Sequence, residues 1–250
     1  MATLNPAVNI PEPLIGRGGR SGKPPLSGSG GGDDSGKNGS SPDYIHRLRR
    51  ARLGLFVLMV PIAMLFVSFT SAYVVRKGLP SLNQNTNQLR TDWIPVDLPI
   101  QLLGVNTALL LASSVTIELA RRKIARQVAL APVESIPGVV VGRERTSLWL
   151  GLTVLLGAGF LIGQWLAWGE LKNRGFYVAS NPSSSFVYLL TATHAIHLIG
   201  GILALLYAGA TSLLKKTLES RRIVIEIAGW YWHFMAALWI YVFALMALVR

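Results

Sequence analysis

The chain contains no cysteine, which excludes disulfides, thiolate metal sites, iron–sulfur clusters and cysteine nucleophiles. Charge is also scarce: only 14% of the 250 residues are Asp, Glu, Lys or Arg. No serine sits in a Gly-x-Ser-x-Gly elbow and no aspartate lies inside an apolar run beside a histidine, so the usual hydrolase constellations are missing. GRGGRSGK at 16–23 is glycine-rich but lacks the strand and helix that a phosphate-cradling loop needs. The 24 basic residues outnumber 12 acidic ones, yet they gather in short connections without an aromatic-interleaved basic face, which argues against a nucleic-acid partner.

What the chain has in abundance is apolar sequence. Hydrophobic residues make up 51% of it, and the mean hydropathy of +0.43 is too high for a soluble domain of this size. Residues 1–43 differ: rich in Gly, Ser and Pro, with SGSGGGDDSGKNGSSP at 27–42, they read as a disordered cytoplasmic tail that buries too little apolar surface to fold. This tail has neither the apolar core nor the small-residue cleavage site of a signal peptide. The remainder, 44–250, reads as one membrane domain.

A helix needs roughly 20 apolar residues to cross a hydrocarbon core of about 30 Å. Five runs meet that length, near Leu53–Val75, Leu98–Ala120, Leu148–Ala167, Phe186–Leu213 and Ile227–Val249. The expected fold is therefore all-α: a polytopic bundle of five transmembrane helices. Arg47, Arg49, Arg50 and Arg52 precede the first span; Arg121, Arg122, Lys123, Arg126, Arg143 and Arg145 follow the second; Lys215, Lys216, Arg221 and Arg222 follow the fourth. The other two connections carry fewer basic residues, so the positive-inside rule places the N-terminus in the cytoplasm and the C-terminus outside. Trp93, Trp149, Trp168 and Trp230 fall near the expected interfaces.

Within these spans the polar residues are few and specific. The second opens after Pro95 and Pro99 and carries Asn106, Thr107, Ser113, Ser114 and Thr116, which suit hydrogen bonds between helices. The same polarity motivates a different kind of reading, an independent small-solute transporter; against it stand the near absence of buried charge and of matched broken helices, since Pro61 has no counterpart. Glu118 lies within a turn of Arg121 and Arg122 and suits a snorkelling ion pair. In the third span Gly151, Gly159 and Gly163 recur at multiples of four and predict a close helix contact, with Gln164 beside them.

The fourth span holds TATHAIHLIGGILAL at 191–205. At helical pitch His194, His197, Gly201, Ala204 and Ala208 share one stripe. The fifth mirrors it with His233, Ala236 or Ala237, Ile240, Ala244 and Ala247, so the two are expected to pack on each other. Paired imidazoles at i and i+3, with His233 as a third, are open to three readings: packing and hydrogen bonding, headgroup or proton-relay duty, or metal ligation. No carboxylate accompanies them at matching depth.

Taken in order, the motifs resemble subunit III of the haem–copper oxidases, the cytochrome c oxidase family, over about Arg52 to Leu248. RLGLF and TSAYVVR stand in the first span, LPIQLLGVNTALLLASSVTIELA in the second, LLGAGFLIGQ in the third, TATHAIHLIGGILAL in the fourth and YWHFMAALWIYVFALM in the fifth. The resemblance is to the five-helix bacterial form, which lacks the first two of seven helices in the larger form. It implies a non-catalytic accessory subunit in the bacterial cytoplasmic (inner) membrane, packed against catalytic subunit I and subunit II. Haem and copper then reside in those partners and none in this chain; bound phospholipid is expected. Related alternatives are the corresponding subunit of a quinol oxidase or an accessory protein of nitric oxide reductase. Carried over by position, His194, His197, Gly201, Trp232, His233, Gln164 and Asn106 match family motifs and are the candidate helix-interface or lipid-contact residues. Two positions depart: Ile62 stands where the family often has a glutamate, and Ala236 where an aspartate commonly follows YWHF. Both departures argue against proton uptake through those groups.

Overall fold

The computed structural model of the chain describes residues 42–82, 89–90, 93–134, 146–213 and 217–248. The expected tail over 1–43 lies outside them, apart from its last two positions, which already belong to the first helix. Five helices are described: α1 (Pro42–Gly78), α2 (Ile100–Glu134), α3 (Thr146–Asn173), α4 (Pro182–Leu213) and α5 (Leu218–Leu248). Each is long and apolar enough to cross a membrane. Between α1 and α2 a minimal antiparallel ladder pairs β1 (Ser81–Leu82) with β2 (Leu89–Arg90).

The helices outrun the expected spans. Hydropathy registers only the part matched to hydrocarbon, whereas α1 begins at Pro42 rather than near Leu53 and α2 runs on to Glu134. Their extra turns carry arginines, which helical backbone tolerates and which water or headgroups can solvate. Helix α1 continues through Pro61, although the ring removes one N–H from the ladder. Pro99 lies at the start of α2, its carbonyl accepting from Leu103 N at 3.0 Å, a position where a missing N–H costs nothing.

The end of α3 has a defined stop. Gly175 adopts φ 84°, Phe176 N bonds Leu171 O at 3.0 Å and Gly175 N bonds Lys172 O at 3.0 Å. This pair of bonds is a Schellman cap, and the left-handed residue in it favours glycine. The turn delivers Arg174 to the rim, where it meets Asp97 at 2.6 Å and Glu170 at 3.0 Å. The Glu170 hydrogen bond holds the Arg174 guanidinium above its ordinary pKa.

Helix α2 packs on α3 and α5, α4 packs on the same two helices, and α1 lies against α4 and α5. The buried side of α1 is narrow, with Leu55, Ile62, Phe66 and Tyr73 four or seven residues apart. Its outward face shows Val57, Met64 and Val67, and α3 shows Leu155, Ile162 and Trp165. Such faces suit lipid or another membrane subunit.

Candidate functional site

The interior of the bundle is stitched by α2. Asn106, 1% exposed, donates from Nδ2 to Phe160 O on α3 at 3.1 Å. Thr116 and Thr153 share a hydroxyl contact of 2.8 Å. Toward α5, Trp232 Nε1 donates to Ser113 Oγ at 2.9 Å and Trp239 Nε1 to Thr107 Oγ1 at 3.0 Å. A hydrocarbon solvent offers no competing partner, so each bond specifies which faces meet. Asn106, Thr107, Ser113 and Thr116 thus bond to neighbouring helices, whereas Ser114 Oγ is buried without a partner.

Trp232 is fully buried and lies between two glycines. A Cβ placed on Gly157 of α3 would come 2.6 Å from Trp232 Cη2, and one on Gly201 of α4 would come 3.3 Å from Trp232 Cε3 and 3.1 Å from Tyr231 Cε1. The indole therefore occupies room that only glycine leaves on both flanking helices. Gly201 thus faces the Tyr231 and Trp232 rings of α5. Tyr231 adds a hydroxyl bond to His197 O at 3.0 Å.

The three intramembrane histidines go to three different neighbours. His194 is completely buried in an aromatic nest: its ring centroid lies 5.8 Å from Phe160 and 5.1 Å from Trp239, which themselves meet edge to face at 4.8 Å. Neither of its ring nitrogens has a hydrogen-bond partner, and the same is true of Gln164 Oε1 and Asn106 Oδ1. His197 turns toward α1, 6.1 Å from Phe66, with Nδ1 donating to Thr193 O at 2.8 Å. His233, on α5, lies 3.7 Å from Glu118 on α2. Among the described residues no group of three or more His, Asp or Glu is placed to hold a metal ion.

Two expected contact stripes need correction. Helix α5 packs on α4 as expected, but two members of its stripe face elsewhere: His233 lies beside Glu118 of α2 and Ile240 is 45% exposed, while the bulky Tyr231 and Trp232 meet Gly201. In α3, a Cβ on Gly151 or Gly159 would meet nothing within 4 Å, whereas one on Gly163 would reach Asn106 Oδ1. Spacing by fours selected a face, but the contact also runs through Gly157. Phe160 and Trp239 were missed altogether; the available signal was an indole in mid-span with a hydroxyl residue on another span to receive its N–H.

The packing role of His194 has a direct consequence. His194→Leu removes two buried unpartnered nitrogens at nearly constant volume, so stability should stay within about 1 kcal/mol of the parent. His194→Ala leaves a cavity in the nest and should lower stability by about 2–3 kcal/mol. Denaturation in detergent, followed by circular dichroism, reads both; a large loss in the leucine variant would show that the ring nitrogens matter.

Charged groups collect at one end of the bundle. Glu118 is held by Arg121 at 2.8 Å and Arg122 at 3.1 Å, the pairing expected for it, and Arg52 of α1 pairs with Glu226 of α5. The Arg52–Glu226 pair ties α1 to α5, whereas the two Glu118 pairs lie within α2.

A family model described as Cytochrome c oxidase subunit III matches residues 45–248, all five helices almost end to end. Among similar proteins, the probable cytochrome c oxidase subunit 3 of Nocardia farcinica (strain IFM 10152) is 27% identical over 211 residues, 82% of this chain and 93% of that protein. The cytochrome c oxidase subunit 3 of Drosophila yakuba is 28% identical over 196 residues, 77% of this chain and 66% of that protein. The probable cytochrome c oxidase subunit 3 of Mycobacterium leprae (strain TN) is 29% identical over 113 residues, 45% of this chain and 54% of that protein.

Proposed function

The chain belongs to the cytochrome c oxidase subunit III family, and from that premise we propose that it is the non-catalytic subunit III of a bacterial haem–copper terminal oxidase. It assembles with catalytic subunit I and with subunit II in the cytoplasmic membrane, N-terminus inside. Oxygen reduction and proton pumping occur in those partners, while this chain stabilises the complex and binds phospholipid. The single observation that carries the reading is the family match across every helix.

The structure supports the structural part of this role. The interior is filled by packed aromatic side chains, and the outward faces of α1 and α3 show apolar residues such as Val57, Met64 and Val67 on one and Leu155, Ile162 and Trp165 on the other. Ile62 and Ala236 are both buried in the core, where an acidic side chain would need a partner.

Gentle detergent purification through a tag on this chain, followed by haem spectra and identification of the co-purifying proteins, tests the reading. A haem-bearing partner is the expected result. Recovery of the chain alone, with no haem absorbance in any fraction that contains it, would overturn it.

A further inference from the structure

At the arginine-rich end of the bundle, α1, α2 and α5 leave a cleft of about 230 Å³, lined chiefly by Arg52, Glu118, Arg121, Arg122, Arg222 and Glu226. Four guanidinium groups face two carboxylates, and the carboxylates are already engaged: Glu118 by Arg121 and Arg122, Glu226 by Arg52. The cleft therefore carries two more positive than negative charges, with Arg121 and Arg122 sharing one carboxylate. Arg222 forms no ion pair with a described carboxylate, and its guanidinium lies 5.7 Å over the Tyr44 ring. Arg121 is fixed from two sides, since its stem fills the room that Gly229 leaves by lacking a Cβ and its guanidinium lies 5.6 Å over Trp230. Its Nε is buried and has no partner.

We propose that this cleft binds a phosphate-bearing anion, with Arg121 and Arg222 as its principal ligands. Guanidinium groups already fixed in position lose little freedom when an anion arrives and give it charge-assisted hydrogen bonds. Planar forks approaching from two helices suit a tetrahedral group, whose three or more oxygens can accept from both and whose charge can offset the excess of two positive charges, better than a halide with its single acceptor atom. Basic pockets between membrane helices at the positively charged side take phospholipid headgroups, and the same chemistry takes a soluble phosphate. The headgroup phosphate of an anionic lipid and a free pyrophosphate are thus two sources of one ligand. The inference does not depend on the oxidase assignment, because it uses only the charges and cleft of this chain.

The test uses the full chain in nanodiscs and reads the thermal unfolding midpoint. One arm titrates pyrophosphate into phosphatidylcholine discs; the other raises the phosphatidylglycerol fraction of the discs without pyrophosphate. The midpoint should rise in at least one arm. A response to phosphatidylglycerol alone assigns a lipid headgroup, one to pyrophosphate alone assigns a soluble anion, and one in both assigns a site that either fills. Arg222→Gln should move half-saturation about tenfold higher, and Arg222→Lys, which keeps the charge but loses the fork, should move it in the same direction by less. Arg47→Gln removes the same charge from α1 outside the cleft and should leave half-saturation unchanged. No rise in either arm, or equal weakening by Arg47→Gln and Arg222→Gln, would overturn the proposal.

Discussion

Trp232→Ala should lower the stability of the bundle by about 3 kcal/mol or more, the upper range for a buried aromatic truncated in place. In a membrane the transfer contribution to that figure shrinks, because lipid tails are as apolar as the core. Two contributions remain. The first is dispersion: the indole is wedged between the backbones of α3 and α4 at Gly157 and Gly201, and its loss opens a void that neither helix can fill without moving. The second is the hydrogen bond from Nε1 to Ser113 Oγ at 2.9 Å, worth about 0.6–1.7 kcal/mol in a bilayer. Trp232→Phe separates them, since it keeps most of the ring and loses the bond; its cost should be about 1 kcal/mol or slightly more. Detergent-induced unfolding of the two variants, with Ser113→Ala as the partner in a double-mutant cycle, measures the division. A coupling energy of zero between Trp232 and Ser113 would remove the hydrogen bond from the account.

The extent to which this architecture was legible in the sequence depends on what kind of statement was read. The existence and order of the helices were legible because a hydrocarbon slab demands runs of apolar residues, and Phe186–Leu213 or Ile227–Val249 could be little else. Asn106, Thr107, Ser113 and Thr116 bond across helices because a polar side chain in lipid gains from a partner, while nothing in the spacing distinguishes them from Ser114, whose hydroxyl has none. The Glu118 pairing followed from helical spacing alone. Facing was the difficult part. In water an apolar stripe declares which side is buried, but here Leu155 faces outward and Leu150 inward with the same chemistry, and periodicity has nothing to distinguish them. Small residues were therefore taken to mark the contact between α4 and α5, when the actual fit sets a glycine on one helix against large rings on the other. The basic cleft was illegible for a different reason. Its residues come from α1, α2 and α5, and only the folded chain brings Arg52, Arg121 and Arg222 to one cavity.

Glycine substitutions in α3 turn that difference into a sign. In an exposed helix interior Gly→Ala gains up to about 1 kcal/mol, because alanine has fewer unfolded conformations to lose. Gly159→Ala should show that gain, as nothing lies within 4 Å of the added methyl. Gly157→Ala should instead lose about 2–3 kcal/mol, the range for overpacking a filled core. Its methyl would stand 2.6 Å from Trp232 Cη2, and the ring has no direction in which to yield: Gly201 backs it on α4 and Ser113 holds its nitrogen on α2. Gly157→Leu should go further and prevent the bundle from closing, giving little monodisperse protein after extraction. The clash also predicts a rescue. In a Trp232→Phe background the outer ring of the indole is gone, so Gly157→Ala should cost at least 1 kcal/mol less than in the parent. Equal costs at 157 and 159, or a Gly157→Ala penalty unchanged by Trp232→Phe, would mean that α3 and α5 approach each other through some other contact than this indole against a bare backbone.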